Sequence, residues 1–179
     1  MEKTSEEEVI LSFVIIVDSK VIDLHNCLDS ILKQDLESIE ILLFINNSNQ
    51  ETNRIVSEFQ LLNNGKLKVI TNSDNDSHPI LRNKSLLESK GKYIWHFEQN
   101  SFLPNKNIAR ELINYLQQNI TAAICFKYML EEDFEDLQDI NFLKIENPEI
   151  ISSQDVLENK NIDSISSFIF ERKLALDLN

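Results

Sequence analysis

Four times in succession, an unbroken apolar run is followed by a segment whose apolar residues recur at helical spacing. Val9 to Val17, interrupted only by Ser12, is a continuous β-branched run of the kind that fits a strand covered on both faces. Leu24, Cys27, Leu28, Ile31 and Leu32 then form one apolar stripe among polar neighbours, which predicts a helix. Ile39 to Ile45 repeats the strand pattern, and Ile55, Val56, Phe59 and Leu62 repeat the helical one. That helix stops near Asn63-Asn64-Gly65, where Gly65 can take the left-handed cap. Leu67 to Thr71 is a third strand; a polar loop from Asn72 to Ser77 leads through Pro79 into a helix carrying Ile80, Leu81, Leu86 and Leu87. Lys92 to Phe97 is a fourth strand, Asn107 to Gln118 a further helix and Thr121 to Met129 a fifth strand.

Strands alternating with helices over short connections, with right-handed crossovers, predict an α/β fold: a three-layer α/β/α sandwich on a mostly parallel sheet. At 179 residues the chain is expected to be a single domain, 1–179. Past Leu130 the pattern weakens. Six acids fall within Glu131 to Asp139, which predicts a solvated loop. Ile140 to Ile145, a helix start at Ser152-Ser153-Gln154-Asp155 and a strand-like Ser164 to Phe170 follow.

Charge narrows the function. With 17 basic against 30 acidic residues the formal net charge is -13, and no basic patch interrupts it, so nucleic acid and anionic lipid are excluded as partners. The longest apolar run is far short of the roughly 20 residues that span a bilayer, so direct membrane insertion is not expected. Glu2 and Glu6 to Glu8 precede it where a secretory signal needs positive charge, so export is not expected. Cys27 and Cys125, without His or Cys at ligand spacing, read as buried thiols. His25 falls on the polar side of its helix, His96 reads as a core histidine within the fourth strand, and His78 is given no role. With 2 glycines there is no phosphate-cradling loop, and no Ser-His-Asp order can be assembled; P-loop, dinucleotide and hydrolase chemistries fall away.

Three segments together resemble the family 2 glycosyltransferases of the GT-A fold. Phe13 to Val17 followed by Cys27-Leu28-Asp29-Ser30-Ile31-Leu32 is similar to the family's first strand and helix. Glu40 to Ile45 running into Asn46-Asn47-Ser48-Asn49 is similar to its strand ending in Asp-Asp-Gly-Ser. Arg82-Asn83-Lys84-Ser85-Leu86, Lys90-Gly91-Lys92-Tyr93-Ile94 and Phe97-Glu98-Gln99-Asn100-Ser101-Phe102-Leu103-Pro104 follow in the family's order and spacing, where its members carry an Asp-x-Asp motif after the fourth strand. The resemblance divides the chain into a nucleotide-binding half, about 9–108, and a truncated or reduced acceptor-side half, 109–179.

The resemblance implies a cytoplasmic transferase that takes a sugar from a nucleotide-sugar donor, a UDP-sugar, in bacterial cell-surface polysaccharide or glycoprotein assembly. It places Val17, Asp18, Asn46 and Arg82 at the nucleotide, and Glu98 and Asn100 at a weakened site for Mn²⁺ or Mg²⁺. Several positions depart from the family. The two acids of the second-strand turn are Ile45 and Asn46, the first-strand Tyr-Asn pair is Asp18-Ser19, and Asp-x-Asp is Glu98-Gln99-Asn100. The family's general base lies in a Glu-Asp motif beyond a segment like Phe168 to Leu174, and the sequence reaches Asn179 first. No catalytic residue is therefore named. The departures leave a second expectation open: a non-catalytic glycosyltransferase-like scaffold that works through a protein partner or a homo-oligomer. Competing readings of the single residues are a helix cap for Asn46, a surface ion pair for Arg82 and a solvated loop acid for Glu98.

Overall fold

The computed structural model describes residues 8–18, 23–46, 48–62, 65–74, 76–118, 123–125 and 168–177. In chain order the elements are β1 (Leu11–Val17), α1 (Leu24–Leu32), β2 (Ile39–Ile45), α2 (Gln50–Leu62), β3 (Leu67–Thr71), α3 (His78–Glu88), β4 (Tyr93–His96), α4 (Ile108–Gln118), β5 (Ala123–Cys125), β6 (Phe168–Glu171) and α5 (Arg172–Asp177). They build a six-stranded sheet in the order β3-β2-β1-β4-β6-β5. The first four strands run parallel, with Phe13 opposite Ile41 on one side and Trp95 on the other; β6 is antiparallel to both β4 and β5. The predicted α/β sandwich on a mostly parallel sheet is what forms. The acidic run 131–139, the apolar stretch 140–145 and the helix start at 152–155 lie outside the described residues.

β1 is buried almost throughout because both its faces meet helices. Leu11, Phe13, Ile15 and Val17 point into a core lined by α1, α2 and α4, whereas Val14 and Ile16 point to the opposite layer with Leu81 and Leu86 of α3 and Ala175 and Leu176 of α5. This period of two, applied to a strand with apolar residues at every position but one, is why the run is continuous. Phe13 sits between Trp95 and Phe97, with ring centroids 5.1 and 5.8 Å away. Trp95 and His96 project to opposite faces, His96 against Phe170.

Two polar clasps hold the frame. At the start of the strands, buried Ser12 donates to Glu40 (2.6 Å), and the Gly91 N–H donates to the Ser12 hydroxyl (2.9 Å). The Lys90 N–H donates to the same Glu40 carboxylate at 2.5 Å. On the other side, buried Gln34 donates to the Ser30 and Asn105 carbonyls and accepts the Ala109 N–H, so its amide joins the end of α1 to α4. Gly65 has φ +85, the left-handed conformation expected of it after α2.

Candidate active site

Parallel strands end on the same side of a sheet, and the helices that follow them begin there. The C-terminal ends of β1, β2, β3 and β4 and the N-terminal ends of α1, α2 and α3 therefore share one edge, the place where open α/β sheets take ligands. Neither Asp23 before α1 nor Ser77 before α3 caps its helix with its side chain. Their first-turn N–H groups leave a partial positive charge facing this edge.

Three of the sequence-predicted residues, Val17, Asp18 and Asn46, meet here directly. The Asn46 N–H donates to the Val17 carbonyl at 2.9 Å, which fixes the ends of β1 and β2 together. The Asn46 side-chain Nδ2 then donates to Asp18 Oδ1 at 3.0 Å. Two further residues join them that sequence reasoning left out. Asn72, directly after β3, donates from Nδ2 to Asn46 Oδ1 at 2.6 Å and to the Asp76 carbonyl at 3.2 Å. His78, the first residue of α3, has its Nε2 2.9 Å from Asp18 Oδ2. Asp18 and His78 keep 40% of their side-chain surface exposed, so the pair is accessible from solvent. Four side chains from the ends of three strands and the start of one helix thus form a connected chain, His78–Asp18–Asn46–Asn72. The sequence signal for it was positional: each of these residues directly follows an apolar strand or opens the helix next to one.

The helix-cap alternative for Asn46 goes to its neighbour. Asn49 Oδ1 accepts the Thr52 N–H at 2.8 Å at the start of α2, which leaves Asn46 facing β1 and β3.

Arg82 stands on α3 four residues after His78 and so on the same face of that helix. It is half-buried and forms no ion pair among the described residues. Its charge reaches the end of β4: burial first, and Arg82 second, push His96 down to about 4. His96 is a core histidine as expected, but its Nδ1 has no hydrogen-bond partner among the described residues.

A stability consequence follows from that imidazole. In the unfolded chain it takes up a proton near its ordinary value, and in the fold only near pH 4, so the unfolded form binds more protons between the two. Stability then falls as pH drops through that window, by up to about 3 kcal/mol from this group. Urea unfolding at pH 7 and pH 4.5 should show His96→Phe losing about 2 to 3 kcal/mol less than the wild type over that interval. Equal losses would contradict the assignment.

Glu98 and Asn100 lie together on the turn after β4, closed by the Ser101 N–H to the Glu98 carbonyl at 3.0 Å, and both are solvent-exposed. Hard divalent cations need several oxygen ligands, carboxylates above all. The turn supplies one carboxylate and the amides of Gln99 and Asn100, and among the described residues no group of three or more His, Cys, Asp or Glu stands together. These residues do not fit a divalent cation held by the protein alone, without oxygens from a bound diphosphate. Cys27, buried beneath the turn, is a structural thiol: burial pushes it far above its ordinary value, and its Sγ lies 3.5 Å from the Glu98 carbonyl.

The model of the family described as glycosyl transferase family 2 matches residues 12–175. No curated protein matches the chain in sequence. Among solved structures, S. aureus TarS in complex with UDP-GlcNAc superimposes with a TM-score of 0.72 at 16% identity, over 94% of this chain and 47% of that one. The S. aureus TarS complex with UDP gives 0.68 at 16% identity, over 94% and 48%. The mannosyltransferase PcManGT from Pyrobaculum calidifontis, in complex with GDP-Man and Mn²⁺, gives 0.58 at 15% identity, over 66% and 35%. The chain thus spans a third to a half of the length of these structures, and at such identities the likeness establishes the GT-A fold. No helix among the described residues is long and apolar enough to cross a membrane.

Proposed function

The chain belongs to glycosyl transferase family 2, and on that footing we propose that it is the nucleotide-sugar-binding part of a glycosyltransferase acting on a UDP-sugar. The observation that carries this reading is the chain His78–Asp18–Asn46–Asn72 at the carboxyl edge of the parallel strands. Val17 ends β1 and Asp18 follows it, Asn46 follows β2, and Arg82 lies one turn along α3 from His78. These are the positions at which a nucleotide would lie across the sheet.

Each group has a role it can fill. Asp18 is held from both sides, by Asn46 and by His78, so its carboxylate is oriented before a ligand arrives and can accept from a base or ribose donor. The amide of Asn46 is fixed by Asp18 and Asn72 and offers both a donor and an acceptor. Arg82 supplies the positive charge that a diphosphate needs. That TarS and PcManGT bind nucleotide sugars on the same fold supports the reading. Residues 1–179 act as one domain in this account, with 109–179 on the acceptor side. Its setting is cytoplasmic assembly of a bacterial surface polysaccharide or glycoprotein.

A second reading is a glycosyltransferase-like module without catalysis that works through a partner. It is favoured by the lone carboxylate on the Glu98 turn.

Thermal unfolding with UDP, UDP-glucose, UDP-N-acetylglucosamine and GDP-mannose separates the two. A ligand at about 100 times its Kd stabilises by roughly 2.7 kcal/mol, which raises Tm by about 5 to 10 °C in a domain of this size. The nucleotide reading expects that rise with the uridine nucleotides. No rise with any nucleotide at millimolar concentration would leave the scaffold reading standing.

A further inference from the structure

We infer that this domain holds the donor's diphosphate through the guanidinium of Arg82, with no divalent cation bound by the protein. The inference rests on the nucleotide-binding reading above and concerns how the same site balances phosphate charge.

A nucleoside diphosphate brings two to three negative charges into a protein whose own formal charge is -13. That charge must be met by cations at the edge where the nucleotide lies. The Glu98 turn cannot recruit them well, since it presents a single exposed carboxylate beside the amides of Gln99 and Asn100. Deprived of ligands, a metal there competes poorly with its own hydration shell. The turn's charge is also of the wrong sign: without a cation, Glu98 repels phosphate.

Arg82 has the opposite character. Of the four arginines in the sequence, Arg54 is paired with Glu51 and Glu58, Arg110 with Asp35, and Arg172 donates to the Leu86 carbonyl at 2.6 Å. The nearest basic side chain in sequence, Lys84, is spent on Asp76 at 2.5 Å and Asp74 at 3.5 Å. Arg82 alone of the arginines is left, among the described residues, without a carboxylate or carbonyl partner for its side chain. A half-buried cation without a counter-ion carries a desolvation cost that an arriving anion relieves.

Its position suits the task. His78 and Arg82 share a face of α3; His78 touches the end of β1, and the field of Arg82 is felt by His96 at the end of β4. Arg82 thus shares a helix face with the residue that meets Asp18 at the strand ends that would bind the nucleoside. A planar fork presents paired N–H donors to phosphate oxygens, which a single ammonium cannot do. The uncapped start of α3 adds backbone N–H groups of the same polarity.

Isothermal titration of the full chain with UDP, in EDTA and in Mn²⁺, tests this. Affinity in EDTA is expected to equal or exceed that in Mn²⁺, because Mn²⁺ on the free nucleotide shields the charge that Arg82 attracts. Arg82→Gln should weaken UDP at least about tenfold in both buffers, while Arg82→Lys, which keeps the charge and loses the fork, should weaken it less. Both variants change one partly exposed side chain, and an unchanged Tm without ligand confirms that they fold. A tightening of tenfold or more on adding Mn²⁺, abolished by Glu98→Gln, overturns the inference and leaves the nucleotide reading intact. Unchanged UDP affinity in Arg82→Gln overturns it too. Failure of UDP to bind in either buffer overturns both.

Discussion

Replacing Gly91 by alanine should remove most of the cooperative thermal transition. A Cβ at this position would overlap the Ser12 hydroxyl, and it would stand 2.7 Å from the Ser12 backbone nitrogen and 2.9 Å from the Tyr93 carbonyl oxygen. Rotating Ser12 relieves only the first of these. The other two are backbone atoms: relieving the Ser12 nitrogen means moving β1 away from the segment that leads into β4, and relieving the Tyr93 carbonyl means bending that segment itself. Relief also means breaking the clasp in which Gly91 donates to Ser12 and Ser12 to Glu40, leaving a buried hydroxyl and a carboxylate short of partners. A loss of about 4 kcal/mol or more is expected, a large share of the roughly 5 to 15 kcal/mol available to a domain. Gly65→Ala is the matched comparison. No atom lies within 4 Å of its added Cβ, so only the left-handed backbone (φ +85) opposes it, at about 1 to 2 kcal/mol. Circular dichroism melts distinguish them; a Gly91→Ala Tm within 3 °C of the wild type, on the order of one kcal/mol, would contradict this account.

The second large effect is expected at Phe13. Its ring is fully buried in the central strand and stacks between Trp95 and Phe97, whose edges meet it at near right angles or tilted. Phe13→Ala deletes the ring from a core whose walls are strands on both sides, where little can collapse inward. The loss should be about 3 to 5 kcal/mol, which lowers Tm by roughly 6 to 20 °C. Leu61, 87% exposed at the end of α2, provides the contrast: its truncation should change stability by less than about 0.5 kcal/mol. If the two substitutions cost the same in urea, the core is not where the structure places it.

What the sequence made legible follows from period. Continuous apolar runs marked β1 and β2 because both faces of each are covered, and the three-to-four spacing of Ile108, Leu112, Ile113 and Leu116 marked α4 because only one face is. Strand boundaries shifted by a residue or two, as with Val9 to Val17 against Leu11–Val17, since chain pairing and not apolarity ends a strand. The sheet order was not legible. That β6 inserts between β4 and β5 and runs against both depends on long-range pairing, which leaves no periodic trace.

At the site, the resemblance to the family put Asp18 and Asn46 at the nucleotide, and the structure joins them. His78 could not, because a lone histidine before a proline carries no pattern; its meaning comes from α3 starting beside the end of β1. Asn72 was hidden inside a polar loop for the same reason. The capping role proposed as an alternative for Asn46 was real but three residues off, at Asn49, because a run of similar polar residues does not say which one meets the helix.

The place of β6 in the sheet also fixes the order in which the protein can be completed during synthesis. After β1, each of β2, β3 and β4 emerges from the ribosome with a parallel partner already made, and can pair as it appears. β5 follows them out, yet its partner in the sheet is β6, so Ala123–Cys125 must wait for Phe168–Glu171 before it has anything to join. Until then the outer edge of β4 offers open N–H and C=O groups to any strand that passes. The nascent chain thus has its centre finished while one flank is unsealed, and that flank closes only when Phe168–Glu171 emerges.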